Sequence, residues 1–504
     1  EPHWADICDL VNPNRSDITI DRQPGKNNSQ QIYDGTAPAA LKIWSAGMQG
    51  YLVSASIRWF LLRMANPFLA DFSEVRQWLQ EVERLMYAAF SRSNFYSEVA
   101  KYFVDAGSIG TASMFSEEDP ASGRIVFHTE HPKHVYIAED KFHQVDRVFR
   151  PLTLTGRTAV QMFPDIDDEF KKEAAAKPYA KHEFLHAIFP NDERDITKID
   201  NLNMPFASKY ARQKDKKIVR EGGYNNLPAI WRVRKVTGEV YGRSPGSDAY
   251  IDLVTSNLIS RDMLDVTHIA VRPPMNVPQE MRGRVKMTPN GMNYYEDQQR
   301  VITPINHNMN LPAGLDREEK IQRVIKEHYR VDFFLMLNNA EKTMTATEAI
   351  ERQAEKAALL GPEIDALNEE CLNPIISRVF DIEYNAGRLP EPPAILLDQA
   401  GEDIEVDYIG PLAQAQKRLF RTVGIMQSLE AIAPIAGASP DSMDIVDWDE
   451  TTRELLDANG FPEKLKRKKE DVETRRQQRA QMQQAAESAE MVDKYAGAAA
   501  KLTN

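Results

Sequence analysis

The chain has 504 residues and a mass of 57.3 kDa, with 75 acidic residues against 62 lysines and arginines, giving a net charge of −13 and a pI near 5.4. An acidic chain lacks the broad positive surface that neutralises DNA phosphates, so tight non-specific DNA binding is excluded and any nucleic-acid contact must be local or weak. Hydrophobic residues at 42% and a mean hydropathy of −0.49 fit several folded domains, or one domain enlarged by insertions, and exclude a disordered chain. Cys8 and Cys371 are the two cysteines; they supply neither a disulfide framework nor a thiolate zinc site, which fits a reducing compartment.

Residues 1–10 lack the basic end and apolar run of a secretory signal. Residues 12–36 are polar and rich in Asn, Asp, Gln and Gly, so 1–36 reads as an N-terminal arm that cannot fold alone. From 37 to 103 apolar residues recur at helical spacing, as in Trp78, Leu79, Val82, Leu85, Met86, Ala89 and Phe90, with a break at Asn66-Pro67; this predicts a helical layer. The most apolar stretch, 51–72, is interrupted by Arg58, Arg63 and Pro67 and falls short of the ~20 apolar residues a bilayer span needs.

From 108 to 243 short β-rich runs (124–128, 134–137, 230–234) alternate with turn residues, which predicts an antiparallel region carrying inserted helices. Helical spacing returns at 247–272 through Leu253, Val254, Leu258 and Leu264, and stops before Pro273-Pro274. The Pro-, Gly- and Asn-rich stretch 273–315 reads as a small β or loop module. A second helix follows over 316–337, with Glu318 and Glu319 in its first turn where they complement the helix dipole. At 345–348, Thr345 and Glu348 have capping-box spacing, worth about 1 kcal/mol, and start a third helix that runs to 386, kinked at Gly361-Pro362 and Pro374. A loop (387–393) and a strand (394–397) come next. Helical patterning resumes at Pro411, breaks between Pro434 and Pro440, and returns at Trp448; 463–501 reads as a solvated helix of mixed charge.

Two motifs suggest hydrolases, one metal-dependent and one serine-based. His182 to His186 matches HExxH, whose histidines bind zinc from one helical turn, but the run between Pro178 and Pro190 is too short for that helix. As a strand it sets the two histidines about 13 Å apart, too far for one metal. Gly242 to Gly246 matches GxSxG, but the residue after Ser244 is Pro245, which has no N–H for an oxyanion hole; a tight turn entering a helix is the plainer reading. Gly-Lys occurs only at Gly25-Lys26, followed by Asn27, so no phosphate-binding P-loop is present. On the second helix Lys320, Arg323, Lys326 and Arg330 fall within about a third of the circumference. They suit either phosphate contact or a solvated face edged by Glu319 and Glu327.

The order helix, insert, helix, capped helix, together with local phrases, resembles the head-to-tail connecting (portal) proteins of short-tailed, podovirus-type phages. The phrases are Ala46-Gly-Met48, Trp59-Phe60, Ser93-Asn-Phe-Tyr96, Gly110-Thr111, Tyr241-Gly-Arg-Ser-Pro245, Met344-Thr-Ala-Thr-Glu348, Leu360-Gly-Pro362, Leu389-Pro390 and Pro411-Leu-Ala-Gln-Ala-Gln416. The resemblance implies an α+β, mainly helical portal fold that forms a ring oligomer of twelve subunits, with no catalytic residues, metal or cofactor. It assigns 1–36 to an N-terminal arm, 37–246 and 387–410 to a β-rich wing, 247–272 and 316–337 to a two-helix stem, and 273–315 to a clip. Residues 338–344 become a channel loop, 345–386 the long kinked helix, and 411–504 a helical crown and tail.

The same resemblance implies a virion component assembled in host cytoplasm, through which double-stranded DNA passes during packaging and ejection. Lys342 and the stripe Lys320, Arg323, Lys326 and Arg330 are its candidates for weak channel contacts. Expected partners are the terminase large subunit, a tail adaptor protein, the major capsid protein, scaffolding protein and internal ejection proteins, and no membrane. Another ring-forming virion adaptor is the remaining alternative; two stem helices around an insert need more chain than a small adaptor has.

Overall fold

Helices laid side by side form the first layer. The computed structural model describes residues 1–20, 31–70, 72–119, 122–198, 200–272, 274–277, 279, 303–304, 311–338, 360–398 and 404–411, and in the C-terminal part 425, 428–429, 432, 444–458, 467, 471–479 and 481–482. Helix α1 (Pro2–Val11) opens on a proline, whose missing N–H costs nothing in a first turn, and buries Ile7, Cys8 and Val11. The expected arm therefore begins with a packed helix, because Ile7 and Val11, one turn apart, form an apolar stripe that α4 and α2 cover. Helices α2 (Thr36–Leu52), α3 (Ser73–Arg92) and α4 (Phe95–Ile109) follow.

Strand β1 (Phe60–Met64) interrupts the expected all-helical stretch. Its residues alternate, with Phe60, Leu62 and Met64 turned inward. The buried Glu83 carboxylate accepts from the Leu62 N–H at 2.7 Å, and desolvation raises that carboxyl's pKa. Helix α4 ends at Gly110, whose φ of +96° is left-handed; a Cβ there would lie 2.6 Å from the Gly242 carbonyl oxygen.

The β region carries inserted helices, as its pattern predicts. Strands β2 (Thr111–Glu118) and β3 (Ile125–Glu130) lie in a three-stranded antiparallel sheet completed, on the other side of β2, by residues Ala229–Arg232. Strands β4 (Tyr136–Glu139), β5 (Val145–Thr155), β6 (Lys181–Pro190), β7 (Phe206–Arg212) and β8 (Lys217–Tyr224) form a five-stranded meander in chain order. Between β5 and β6 sit α5 (Gly156–Met162) and α6 (Asp168–Ala176), which close a small core around Phe163, Phe170 and Phe184. Strand β9 (Ala229–Arg232) and the short pair β10 (Arg234–Lys235) and β11 (Gly242–Arg243) return to the main body. There Trp231 stacks on Trp44 with centroids 6.3 Å apart, and its backbone N–H donates to the Tyr102 hydroxyl at 2.9 Å.

After a helical turn at Pro245–Asp248, α7 (Tyr250–Val271) runs almost over the predicted span. Strands β12 (Met275–Asn276) and β13 (Thr303–Pro304) pair antiparallel, the described part of the expected β module. Helix α8 (Leu311–His328) begins five residues before Asp316, because Pro312 suits a first turn. It also ends before the predicted 337: the chain breaks at Tyr329–Arg330 and resumes as α9 (Val331–Asn338).

The described part of the third helix is α10 (Gly361–Leu367), a π-helical turn (Asn368–Leu372) and α11 (Asn373–Asn385), so the irregularity precedes Pro374 as the kink reading requires. Residues 394–397 are not a strand. They lie in α12 (Ala394–Asp398) behind Pro392 and Pro393, and the strand falls later, as β14 (Ile404–Tyr408), paired antiparallel with β1. These elements belong to one compact unit, Glu1–Ala415; the second, Gln416–Asn504, contains α13 (Trp448–Ala458), which starts where the pattern returns.

Candidate functional site

Neither hydrolase motif is built for catalysis. His182 and His186 lie on β6, paired with Leu154 and Arg150 of β5. The His182 ring packs edge-on against Phe170, whereas His186 stacks flat on Tyr210, centroids 3.9 Å apart, with Nε2 2.9 Å from the Ser208 hydroxyl. Burial, reinforced by the Arg150 and Arg220 guanidinium groups, pushes the His186 pKa down to about 2, so the ring is a neutral core group. Ser244 is fully buried and is the N-cap of the turn at Pro245–Asp248: its hydroxyl accepts from the Ser247 N–H at 2.9 Å and donates to the Ser108 carbonyl at 2.9 Å. Both hydroxyl functions are spent on structure. Among the described residues no group of three His, Cys, Asp or Glu side chains could hold a metal, and no helix is long and apolar enough to cross a membrane.

The remaining candidate is the pair α7 and α8. In the 22 residues of α7 only Leu253 and Ser256 are buried, while Ile251 and Val271 are 77% and 73% exposed and Leu258 and Leu264 are open to solvent. Leu315 and Val324 are exposed on α8. Asp34 staples the two: Oδ2 accepts from the Ser256 hydroxyl at 2.5 Å, and Oδ1 from the Gln322 amide at 3.4 Å. The pair therefore leaves an apolar face open to solvent.

The predicted basic stripe divides. Lys320, Arg323 and Lys326 are exposed on α8 with no ion-pair partner among the described residues. Arg330 does not continue them. It sits in the break after α8 at φ +50°, and its guanidinium grips Glu363 bidentately at 2.9 and 3.0 Å, so it is engaged within the subunit and is not a free phosphate ligand. Lys342, Thr345 and Glu348 lie outside the described residues.

Spacing did not reveal Glu363, which meets Arg330 from 33 residues away, nor Arg234 and Asp248, which join it in a chain of contacts. The Glu363 Oε1 lies 3.7 Å from Arg234 Nε, and Arg234 Nη2 pairs with Asp248. Beside them Arg232 joins Glu370 of the π turn to Glu139 of β4. The one local signal was a glutamate in the first turn of a helix opening on Gly361-Pro362, where it complements the dipole.

The sequence profile described as "Bacteriophage head to tail connecting protein" matches residues 1–466. The chain belongs to the bacteriophage head-to-tail connecting proteins. Within that family it is 30% identical over 505 residues to the "Portal protein" of Salmonella phage epsilon15, covering 97% of this chain and 90% of that one. To the "Probable portal protein" of Bordetella phage BPP-1 it is 30% identical over 513 residues, covering 99% and 91%. A solved structure, "Neck of empty GTA particle computed with C6 symmetry", aligns over 81% of this chain and 86% of that one at 11% identity and a TM-score of 0.35, too distant to fix the fold. As a head-to-tail connecting protein the chain is a structural component of the phage particle.

Proposed function

We propose that this protein is a portal subunit: twelve copies close a ring at one vertex of the phage head, and double-stranded DNA enters and leaves through the axial channel. The observation that carries the reading is the α7–α8 pair, whose apolar side chains stay exposed in the single chain and need copies of themselves on either side. Family membership and the names of the two phage relatives support it. At −13 per copy the ring repels DNA overall, which suits a conduit along which the duplex slides. Exposed Lys320, Arg323 and Lys326, with Lys342, then supply weak, salt-sensitive phosphate contacts that read no sequence.

No P-loop motif occurs in the sequence, so packaging force comes from a separate terminase large subunit docking on the clip, 273–315. The tail adaptor, major capsid protein, scaffolding protein and internal ejection proteins are the other contacts of such a ring, assembled in the host cytoplasm and retained in the virion.

Electron microscopy of the purified protein, with its mass in solution, tests the reading. A closed ring with an axial hole and a mass near twelve subunits is expected. A monomer or dimer under conditions that permit assembly overturns it.

A further inference from the structure

At the foot of α8 the chain makes an expensive turn. Tyr329 is fully buried and its hydroxyl donates to the Gly107 carbonyl at 3.3 Å, while Arg330 takes a left-handed φ of +50° that a side-chain-bearing residue rarely adopts. What holds it there is Glu363, 33 residues later and only 6% exposed, which accepts two hydrogen bonds from the Arg330 guanidinium. Phe333 and Phe334 are buried just after Arg330, and Leu360 and Ile364 on either side of Glu363. The ion pair thus draws together two anchors of the chain.

Glu363 also has a second suitor. Arg234 Nε is buried with no hydrogen-bond partner, 3.7 Å from the same carboxylate, while its Nη2 is held by Asp248 just before α7. A two-pronged arginine grip takes one bond to each carboxylate oxygen on the same side, and Arg330 already holds both, so Arg234 can grip Glu363 in that way only if Arg330 lets go. The relay Asp248, Arg234, Glu363, Arg330 therefore links the root of α7, strand β10, the root of α10 and the foot of α8.

We infer that Glu363 is a shared positioning anchor, exchanging between Arg330 and Arg234, that sets how α9 and the root of α10 are held together. With Arg330 held, the left-handed turn is locked and the two anchors stay together. With Arg234 holding the carboxylate instead, Arg330 relaxes and α9 is freed from the root of α10. Two discrete arrangements of one carboxylate are the kind of element that couples packed helices. The exchange is a property of the subunit; its consequence for DNA rests on the reading of this chain as a conduit.

Hydrogen exchange on the purified full-length protein, in whatever assembly it forms, tests the anchor. Glu363→Gln and Arg330→Lys are each expected to speed exchange at least tenfold in 331–338 and 360–367 while β5, β6 and β7 keep wild-type rates. Arg234→Gln removes the competitor and is expected to slow exchange in the same segments. Combining Arg330→Glu with Glu363→Arg is expected to restore part of the protection, which a purely structural loss would not allow.

Unchanged exchange in both single variants, or a uniform rise across the chain, overturns the anchor. DNA retention in particles carrying Arg330→Lys separates the two claims. Rings of normal mass that leak DNA support a positioning role, and rings that retain it normally overturn that role. Failure to form rings in the wild type overturns the conduit reading instead.

Discussion

The wall formed by α2, α3, α4, β2 and β9 and the pair α7–α8 spend their apolar residues in opposite ways. In the wall, Trp44, Trp231, Phe103 and Phe90 are all under 2% exposed; Trp44 stacks on Trp231, Phe103 meets Trp231 edge-on and Phe90 packs against Phe95, so the layer is complete within one chain. Along α7, Ile251, Leu258, Leu264 and Val271 face solvent although they are no less apolar. On the portal reading, the difference separates what a subunit needs in order to fold from what it needs in order to assemble.

Substitutions in the wall should weaken the single subunit most, and substitutions on the open face of α7 least. Trp231→Ala empties the centre of the wall and should cost about 3–5 kcal/mol in urea unfolding; a loss below about 1 kcal/mol would mean the wall is not the folding core. Gly110→Ala must adopt a positive φ and push against the Gly242 carbonyl, so roughly 2 kcal/mol or more is expected, read as a lowered urea midpoint.

His186, on β6 of the five-stranded sheet rather than in the wall, gives the subunit a pH dependence. Its folded pKa lies near 2 and its unfolded value near 6.5, so below pH 6.5 the unfolded chain binds a proton that the folded chain does not. The stabilisation from the neutral ring is whole above pH 6.5 and is lost as pH falls toward 2. His186→Phe should flatten that part of the stability profile; an unaltered slope between pH 6 and 4 would remove His186 as its cause.

Ser244→Ala removes a helix cap and should cost about 1 kcal/mol while leaving mass and assembly unchanged. Smallest for the subunit, Ile251→Asp with Val271→Asp should move unfolding by no more than about 0.5 kcal/mol and yet abolish ring formation on sedimentation. Rings that persist in that double variant would place the subunit contact elsewhere.

Much of the architecture was legible along the chain. The span of α7 followed from helical spacing and the stop at Pro273-Pro274, the antiparallel region from short β-branched runs, and α13 from the return of periodicity at Trp448. Pro245 alone argued against a nucleophile elbow, and the structure turns Ser244 into a cap. The misses share a cause. Strand β1 hid in an apolar stretch whose partner, β14, lies 340 or more residues away, and residues 394–397 read as a strand although two prolines lead into a helix there. Helix α1 was absorbed into a polar arm because its short stripe gains stability only when α4 covers it. Arg330 fitted the periodicity of α8, but the helix ends before it.

By itself, the sequence determined the order of elements, the emptiness of both hydrolase motifs and the resemblance to head-to-tail connecting proteins, because spacing, turn residues and capping act within a few residues of one another. Only the tertiary structure decided that Arg330 belongs to Glu363, that Glu363 lies within reach of Arg234, and that α7 keeps its apolar side chains in solvent. Such pairings depend on where distant parts of the chain come to rest. An ion pair spanning 33 residues, or a helix face left open, has no local pattern to announce it.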